Sequence, residues 1–404
     1  EILLELYPYI YKEINNEKEH LWIFDNECGL YRKGIASIKN STLVNIIGKY
    51  EKYLYLEPDT NDKQKNYSRN KKLLTNMIDF IPCCCKLIEE GDKNTMIRNT
   101  LYKLLFKNGY YDFKKKEFIR KFDEKLFFTT RISYDYTEDD ESLIEKKKEL
   151  NKIFFEDPFR TIEEGLYLKK GLARAIAGDI YSKKIYIGLG DTNNGKSQLV
   201  NMFMHVFNDY VGIFNGENLC YKNSSNDEST RYRWALLNRY KRIMFSSEFA
   251  DEKNTLNGEV IKKIASGGKD PIQGRTLGKE EEYFIPQFTV MLMLNDMTLI
   301  KPFDEAIENR VKGIVNYHYE FVKDVVNEEY EKKQKDLNYI YEENEYKRSF
   351  LHLILESYEL FVKEGNEEPK NVKDFMKDTT GEMNIKTIVD ENFEITDDER
   401  NIIY

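Results

Sequence analysis

From about residue 181 to 320, short runs of apolar residues alternate with stretches whose apolar positions return every third or fourth residue. "KIYIGL" (184 to 189), "KRIMFSS" (241 to 247) and "FTVMLML" (288 to 294) are too short for helices and read as buried strands. Between the first two, Leu199, Met202, Phe203, Val206 and Phe207 fall at i, i+3, i+4, i+7 and i+8, one face of a helix. Strands alternating with helices predict an α/β sheet domain. Just before it, "TIEEGLYLKKGLARAIAGD" (161 to 179) carries helical spacing and a stop at Gly178.

The flanks read differently. "HLWIFDNECGLYRKGIASI" (20 to 38) places aromatic and branched residues on either side of Asn26–Gly29, the pattern of a small hairpin. A polar loop, "EPDTNDKQKNYSRNKK", follows, and then material predicted to be mostly helical, with Lys-rich runs "FKKKEF" and "EKKKEL" as solvated helix faces. Beyond 320 the chain is charged and is expected to be helical, serving as a lid or packing element. These changes of pattern divide the chain into an N-terminal, mostly helical domain at 1–155 with an assembly or DNA-related role, an α/β domain at 156–320, and a helical segment at 321–404.

Composition narrows the classes. With 404 residues and 41% hydrophobic content the chain can build real cores, and a formal net charge of -9 means that any nucleic-acid contact must be local. Cys28, Cys83, Cys84, Cys85 and Cys220 lack paired Cys-x-x-Cys spacing and read as reduced, buried thiols of an intracellular protein. The four His are scattered, so neither a His metal site nor a triad is expected. No run of about 18 apolar residues is present, which argues against a membrane span, and no signal peptide is visible. A start at Glu1 instead of Met suggests a piece of a longer protein.

The candidate chemistry lies where the first strand ends. Gly190, Asp191, Thr192, Asn193, Asn194, Gly195, Lys196 and Ser197 fit G-x-x-x-x-G-K-[ST]. Glycines let the backbone turn tightly and aim several N–H groups at one point, and the helix that follows adds its positive end, so phosphate is held mainly by main chain. Lys196 then reaches the β- and γ-phosphates of ATP, and the Ser197 hydroxyl suits Mg2+. Glu248, after a strand, can polarise water or hold Mg2+ through water. Asn295, after another, can orient the attacking water, and Arg310 can stabilise charge developing on the γ-phosphate. Taken singly, each of these three also reads as ordinary surface or a strand-ending turn.

The order "GLGDTNNGKS", "KRIMFSSE", "KKIASGGKDPIQGR", "FTVMLMLN", "IENR" resembles the superfamily 3 helicases, in particular the helicase module of the poxvirus-type primase–helicases of large DNA viruses and related phage and plasmid replication proteins. The segment before the phosphate loop and the "LWIFDNECGLYRKG" hairpin are similar to that family too. The resemblance implies a P-loop core of AAA+ type, a hexameric ring around single-stranded DNA, a primase domain or partner, and work at an intracellular viral replication site, in cytoplasm or nucleus. It assigns Lys196 and Ser197 to the nucleotide loop, Glu248 to the second acidic motif, Asn295 to the sensor and Arg310 to the arginine finger. Ser247 stands where many relatives carry a second acid. Within "PIQGRTLGKEEEYFIPQF", a hairpin with a basic tip is expected to project into the channel, with Arg275 and Lys279 as phosphate contacts beside the repelling Glu280, Glu281 and Glu282. The other uses open to such a chain are a P-loop ATPase that remodels or packages without unwinding, and a non-hydrolysing scaffold of a replication complex.

Overall fold

The computed structural model describes residues 9–15, 18–34, 83–221, 228–247, 255–276, 281–311 and 313–392, with isolated pieces at 48, 81, 394–395 and 402–403. The chain divides into two units, Glu1–Tyr136 and Thr137–Tyr404.

In the first unit, β1 (Ile10–Asn15), β2 (Lys18–Asp25), β3 (Leu30–Gly34) and β4 (Lys86–Leu87) form a sheet in the order β3-β2-β1-β4. The hairpin expected around Asn26–Gly29 is there, with Asp25 paired to Leu30 and Leu21 to Gly34. Trp22, on β2, packs edge-on to Phe127 at 5.0 Å, and its indole N–H donates to Glu13 Oε2 at 2.6 Å. Lys93, from the Glu90–Arg98 helix, ion-pairs with the same buried carboxylate, which accounts for burying three polar groups together.

The expectation of a mostly helical domain fails among the described residues. Beyond Glu90–Arg98 the chain forms a second, antiparallel sheet of β5 (Lys103–Phe106), β6 (Gly109–Asp112) and β7 (Glu117–Ile119). The run "FKKKEF" is therefore the turn from β6 into β7 and not a helix face. Its lysines are solvated, but the aromatic residues beside them, Tyr110, Tyr111 and Phe113, are strand and turn residues whose rings fill the core. "EKKKEL" does lie on a helix, Ile144–Asn151, which belongs to the second unit. The polar loop at 57–72 lies outside the described residues.

The second unit is built on five parallel strands: β8 (Tyr186–Leu189), β9 (Val211–Phe214), β10 (Ile243–Ser246), then β14 (Thr289–Leu294) and β16 (Gly313–Asn316), in the order β16-β8-β14-β10-β9. A parallel sheet is covered on both faces, which is why its strands read as unbroken apolar runs. The pleat sorts the side chains. Ile185, Ile187, Leu189, Met244, Val290, Leu292, Leu294 and Ile314 join one core with Val260, Ile261 and Ile264 of the Gly258–Ile264 helix. Tyr186 and Phe245 face the other way, against the Ile162–Ala177 helix through Tyr167 and against the Lys196–Phe207 helix through Phe203.

Ile162–Ala177 starts at a Thr161/Glu164 capping box and, as its sequence predicts, ends at Gly178, which lies in the left-handed region. In Lys196–Phe207 the five residues chosen by spacing are all buried, each contributing about 1.5–3 kcal/mol over leaving it in water. Between β10 and β14 lie a two-residue strand β11 (Leu256–Asn257) and the hairpin β12 (Ile272–Arg275) and β13 (Glu281–Phe284). After β14, β15 (Ile300–Lys301) pairs with β11.

Past residue 320 the chain is not helical at once: β17 (Glu320–Val322) and β18 (Glu331–Lys333) make a small ribbon first. The helices Asn344–Glu364 and Lys370–Asn392 follow. The first of them packs as core, with Phe350 against Phe154, Phe155 and Phe203. Among the described residues no helix is long and apolar enough to cross a membrane. Cys28 and Cys220 are buried, but Cys83 is exposed and Cys84 and Cys85 half-exposed, so burial holds for only part of the thiol set.

Candidate nucleotide-binding site

β8 ends at Leu189, and the next six residues form the loop that leads into the Lys196–Phe207 helix. The turn requires backbone conformations that L side chains rarely adopt: Gly190 has φ +149°, Asn193 φ +57° and Gly195 φ +89°. A Cβ on Gly190 would lie 2.3 Å from Asn194 Nδ2 and 2.5 Å from the Tyr317 carbonyl oxygen, so the loop closes only around glycine there. Asn194 is buried, its Oδ1 accepts from the Lys196 amide at 3.4 Å, and its Nδ2 has no hydrogen-bond partner. A loop wound this tightly before a helix N-terminus, with a buried amide group left unsatisfied, fits an oxyanion ligand.

The register of the sheet decides which side chains meet the loop. Leu189 pairs with Leu294 across β8 and β14, so the residues following them, Gly190 and Asn295, leave the sheet side by side. Lys196 Nζ donates to the carbonyls of Gly190 and Asp191, the second at 2.9 Å, and to Asn295 Oδ1 at 3.2 Å. Lys196 is buried while Ser197, next along, is exposed at the mouth of the loop. Asn295, 99 positions from Lys196 in sequence, thus shares one site with Lys196 and Ser197.

Arg310 is elsewhere. It ends the Glu305–Arg310 helix, and its carbonyl accepts from Ile185 N at 2.9 Å, at the start of the strand whose other end carries Gly190. Its guanidinium donates to the carbonyls of Ala265 (3.3 Å) and Ala306 (2.7 Å). Glu248 lies outside the described residues; β10, which precedes it, is tied to β14 by the Met293 amide donating to Ser246 Oγ at 2.9 Å. Arg275 is exposed at the end of β12, with Nη2 3.5 Å from Thr230 Oγ1, and Lys279 lies outside the described residues.

The loop floors a cavity of about 870 Å³, a size suited to a nucleotide. Its other walls were not legible in the sequence. One comes from Ile153, Phe154 and Asp157, the other from residues 321 to 341, including Phe321, Lys333 and Tyr341. The second wall is fastened to the loop by the Phe321 amide, which donates to the Asn193 carbonyl at 2.8 Å. Tyr341 donates to Gln198 Oε1 at 3.0 Å, and burial pushes its phenol up to about 12, so it is a donor at neutral pH. Burial pulls the Lys332 ammonium down while neighbouring Asp157 opposes the shift. Among the described residues no cluster of three His, Cys, Asp or Glu side chains is placed to hold a metal ion.

Fold and site together define a mixed α/β protein with a parallel sheet and a glycine-bent loop at the end of an inner strand. The family match and the viral relatives agree with the motif resemblance. Residues 6–155 match the family described as "D5 N terminal like". Over 400 residues the chain is 34% identical to "Putative helicase V13" of Sputnik virophage, covering 95% of this chain and 48% of that protein. It is 25% identical over 401 residues to "Putative helicase L207/L206" of Acanthamoeba polyphaga mimivirus, covering 92% and 40%. A solved structure, the A form apo structure of the NrS-1 C-terminal region, aligns over 97% of this chain and 78% of its own, with a TM-score of 0.49 and 12% identity. The chain is related to the viral primase–helicases of poxvirus type, and it spans about half the length of the curated relatives it matches.

Proposed function

We propose that the second unit is the AAA+ type P-loop core of a superfamily 3 DNA helicase, which binds and hydrolyses ATP with Mg2+ in a hexameric ring during genome replication of a large DNA virus. The observation that carries this reading is the meeting of Lys196 with Asn295 inside a glycine-bent loop at the end of β8. Backbone amides of 191 to 197 would hold the phosphates, Lys196 would neutralise the transferring group, and Ser197 with Glu248 would hold the metal, which supplies Lewis-acid stabilisation when bound. Asn295 is then placed to orient the attacking water.

Arg310 stands at the opposite end of β8 from its own loop, which suits a finger reaching a neighbouring subunit's nucleotide. DNA would run past the β12–β13 hairpin, with Arg275 and Lys279 as contacts. The relatives' printed names support the helicase assignment. Steady-state phosphate release with and without single-stranded DNA, beside unwinding of a forked duplex, tests the reading. Turnover stimulated by DNA together with unwinding is expected. Turnover without unwinding leaves a remodelling or packaging ATPase, and binding without turnover leaves a scaffold.

A further inference from the structure

We propose that Lys323 and Lys333, from the ribbon wall, pair directly with the polyphosphate of the bound nucleoside triphosphate, as a second set of cations beside Lys196; this rests on the nucleotide reading above. The ribbon is docked on the phosphate loop at two of its strained points. Phe321 N–H donates to the Asn193 carbonyl, and the Phe321 ring lies 3.5 Å from where a Cβ of Gly195 would be. β17 and β18 pair Val322 with Lys333, and Gln334 N donates to the Val322 carbonyl at 2.8 Å, so Lys323 and Lys333 stand close together beyond that docking point. Both line the cavity.

Their neighbours are already engaged. Lys332 Nζ donates to the Asp157 carbonyl at 2.6 Å and lies 3.8 Å from the Tyr319 ring centroid, and Lys335 ion-pairs with Asp157 at 3.4 Å. Lys323 and Lys333 make no ion pair among the described residues. Asp157, Asp191 and Asp336 line the same cavity against Lys196 and Lys335, so the two ribbon lysines turn its lining from net acidic to net basic. A polyphosphate, the most highly charged part of a nucleotide, gains from that change in sign, and at exposed positions the gain is screened by salt.

The test compares the intact chain with Lys323→Ala/Lys333→Ala and with Lys323→Arg/Lys333→Arg, titrating a fluorescent ATP analogue with Mg2+ at low and high salt. The expected result is a Kd raised about three- to tenfold in the alanine variant at low salt, a gap that narrows at high salt, and recovery in the arginine variant. Wild-type binding with unchanged affinity and salt slope in the alanine variant overturns this inference alone. No binding by the wild-type chain overturns the nucleotide reading and this inference with it.

Discussion

Asn295 Oδ1 accepts a hydrogen bond from Lys196 Nζ at 3.2 Å, joining the end of β14 to the first residue of the phosphate-loop helix across 99 positions of sequence. An amide does this without adding charge, so it can hold the lysine and still tolerate a phosphate beside it. A carboxylate cannot. Asn295→Asp would pair more tightly with the ammonium and repel the γ-phosphate, while Asn295→Ala removes the orienting group. Both are expected to lower kcat about a hundredfold or more with a smaller change in KM, measured by phosphate release.

Gly190 is the position where the loop has least room. An alanine Cβ would lie within 2.5 Å of Tyr317 O and nearer still to Asn194 Nδ2, in a backbone conformation with φ +149°. Gly190→Ala should cost about 1–3 kcal/mol of stability and open the loop, weakening ATP binding tenfold or more. Thermal melting and nucleotide titration together separate the loop's distortion from loss of the fold.

His352 supplies a pH dependence. It is buried on the Asn344–Glu364 helix, 3.0 Å from the Thr137 carbonyl oxygen. Burial lowers its pKa and Lys147 acts the same way, against the Thr137 carbonyl, Asp139 and Glu356. Because the folded state disfavours the proton, the unfolded chain takes it up first, and stability present above about pH 6.5 is lost as pH falls below it. His205, lowered by burial and by Lys347, adds in the same direction. The melting temperature should drop between pH 7.5 and 5.5, and His352→Gln should make that slope shallower by removing the contribution of this group.

What could be read from the sequence follows from the range of the interactions. The phosphate loop, its strand and its helix are set by neighbouring residues, so Gly190 to Phe207 could be placed from spacing alone. That Asn295 would touch Lys196 depends on the β8–β14 register, which no local pattern encodes. The first unit is hidden from local pattern for the same reason: Tyr11 pairs with Lys86, and the aromatic residues at 106 to 118 have a lysine-rich turn among them that by itself reads as helix surface. The ribbon at 320 to 333 reads as solvated charge because only its return onto Asn193 makes it a wall.

Arg310 gives the sharpest test of assembly. Its carbonyl is bonded to Ile185 at the start of β8, and the loop it would serve lies past the other end of that strand, so one subunit cannot bring its own Arg310 to its own phosphates without dismantling the sheet edge. If the guanidinium acts, it acts on a neighbour. Arg310→Ala should then bind ATP almost normally and lose turnover by about a thousandfold, while Lys196→Ala loses turnover through its own loop. Mixed one to one, the two inactive variants should regain activity, because about one interface in four would combine an intact loop with an intact finger. Mixing that restores nothing, with rings shown by mass measurement to have exchanged subunits, would place Arg310 outside the reaction and reduce it to the cap its contacts with Ala265 and Ala306 already make.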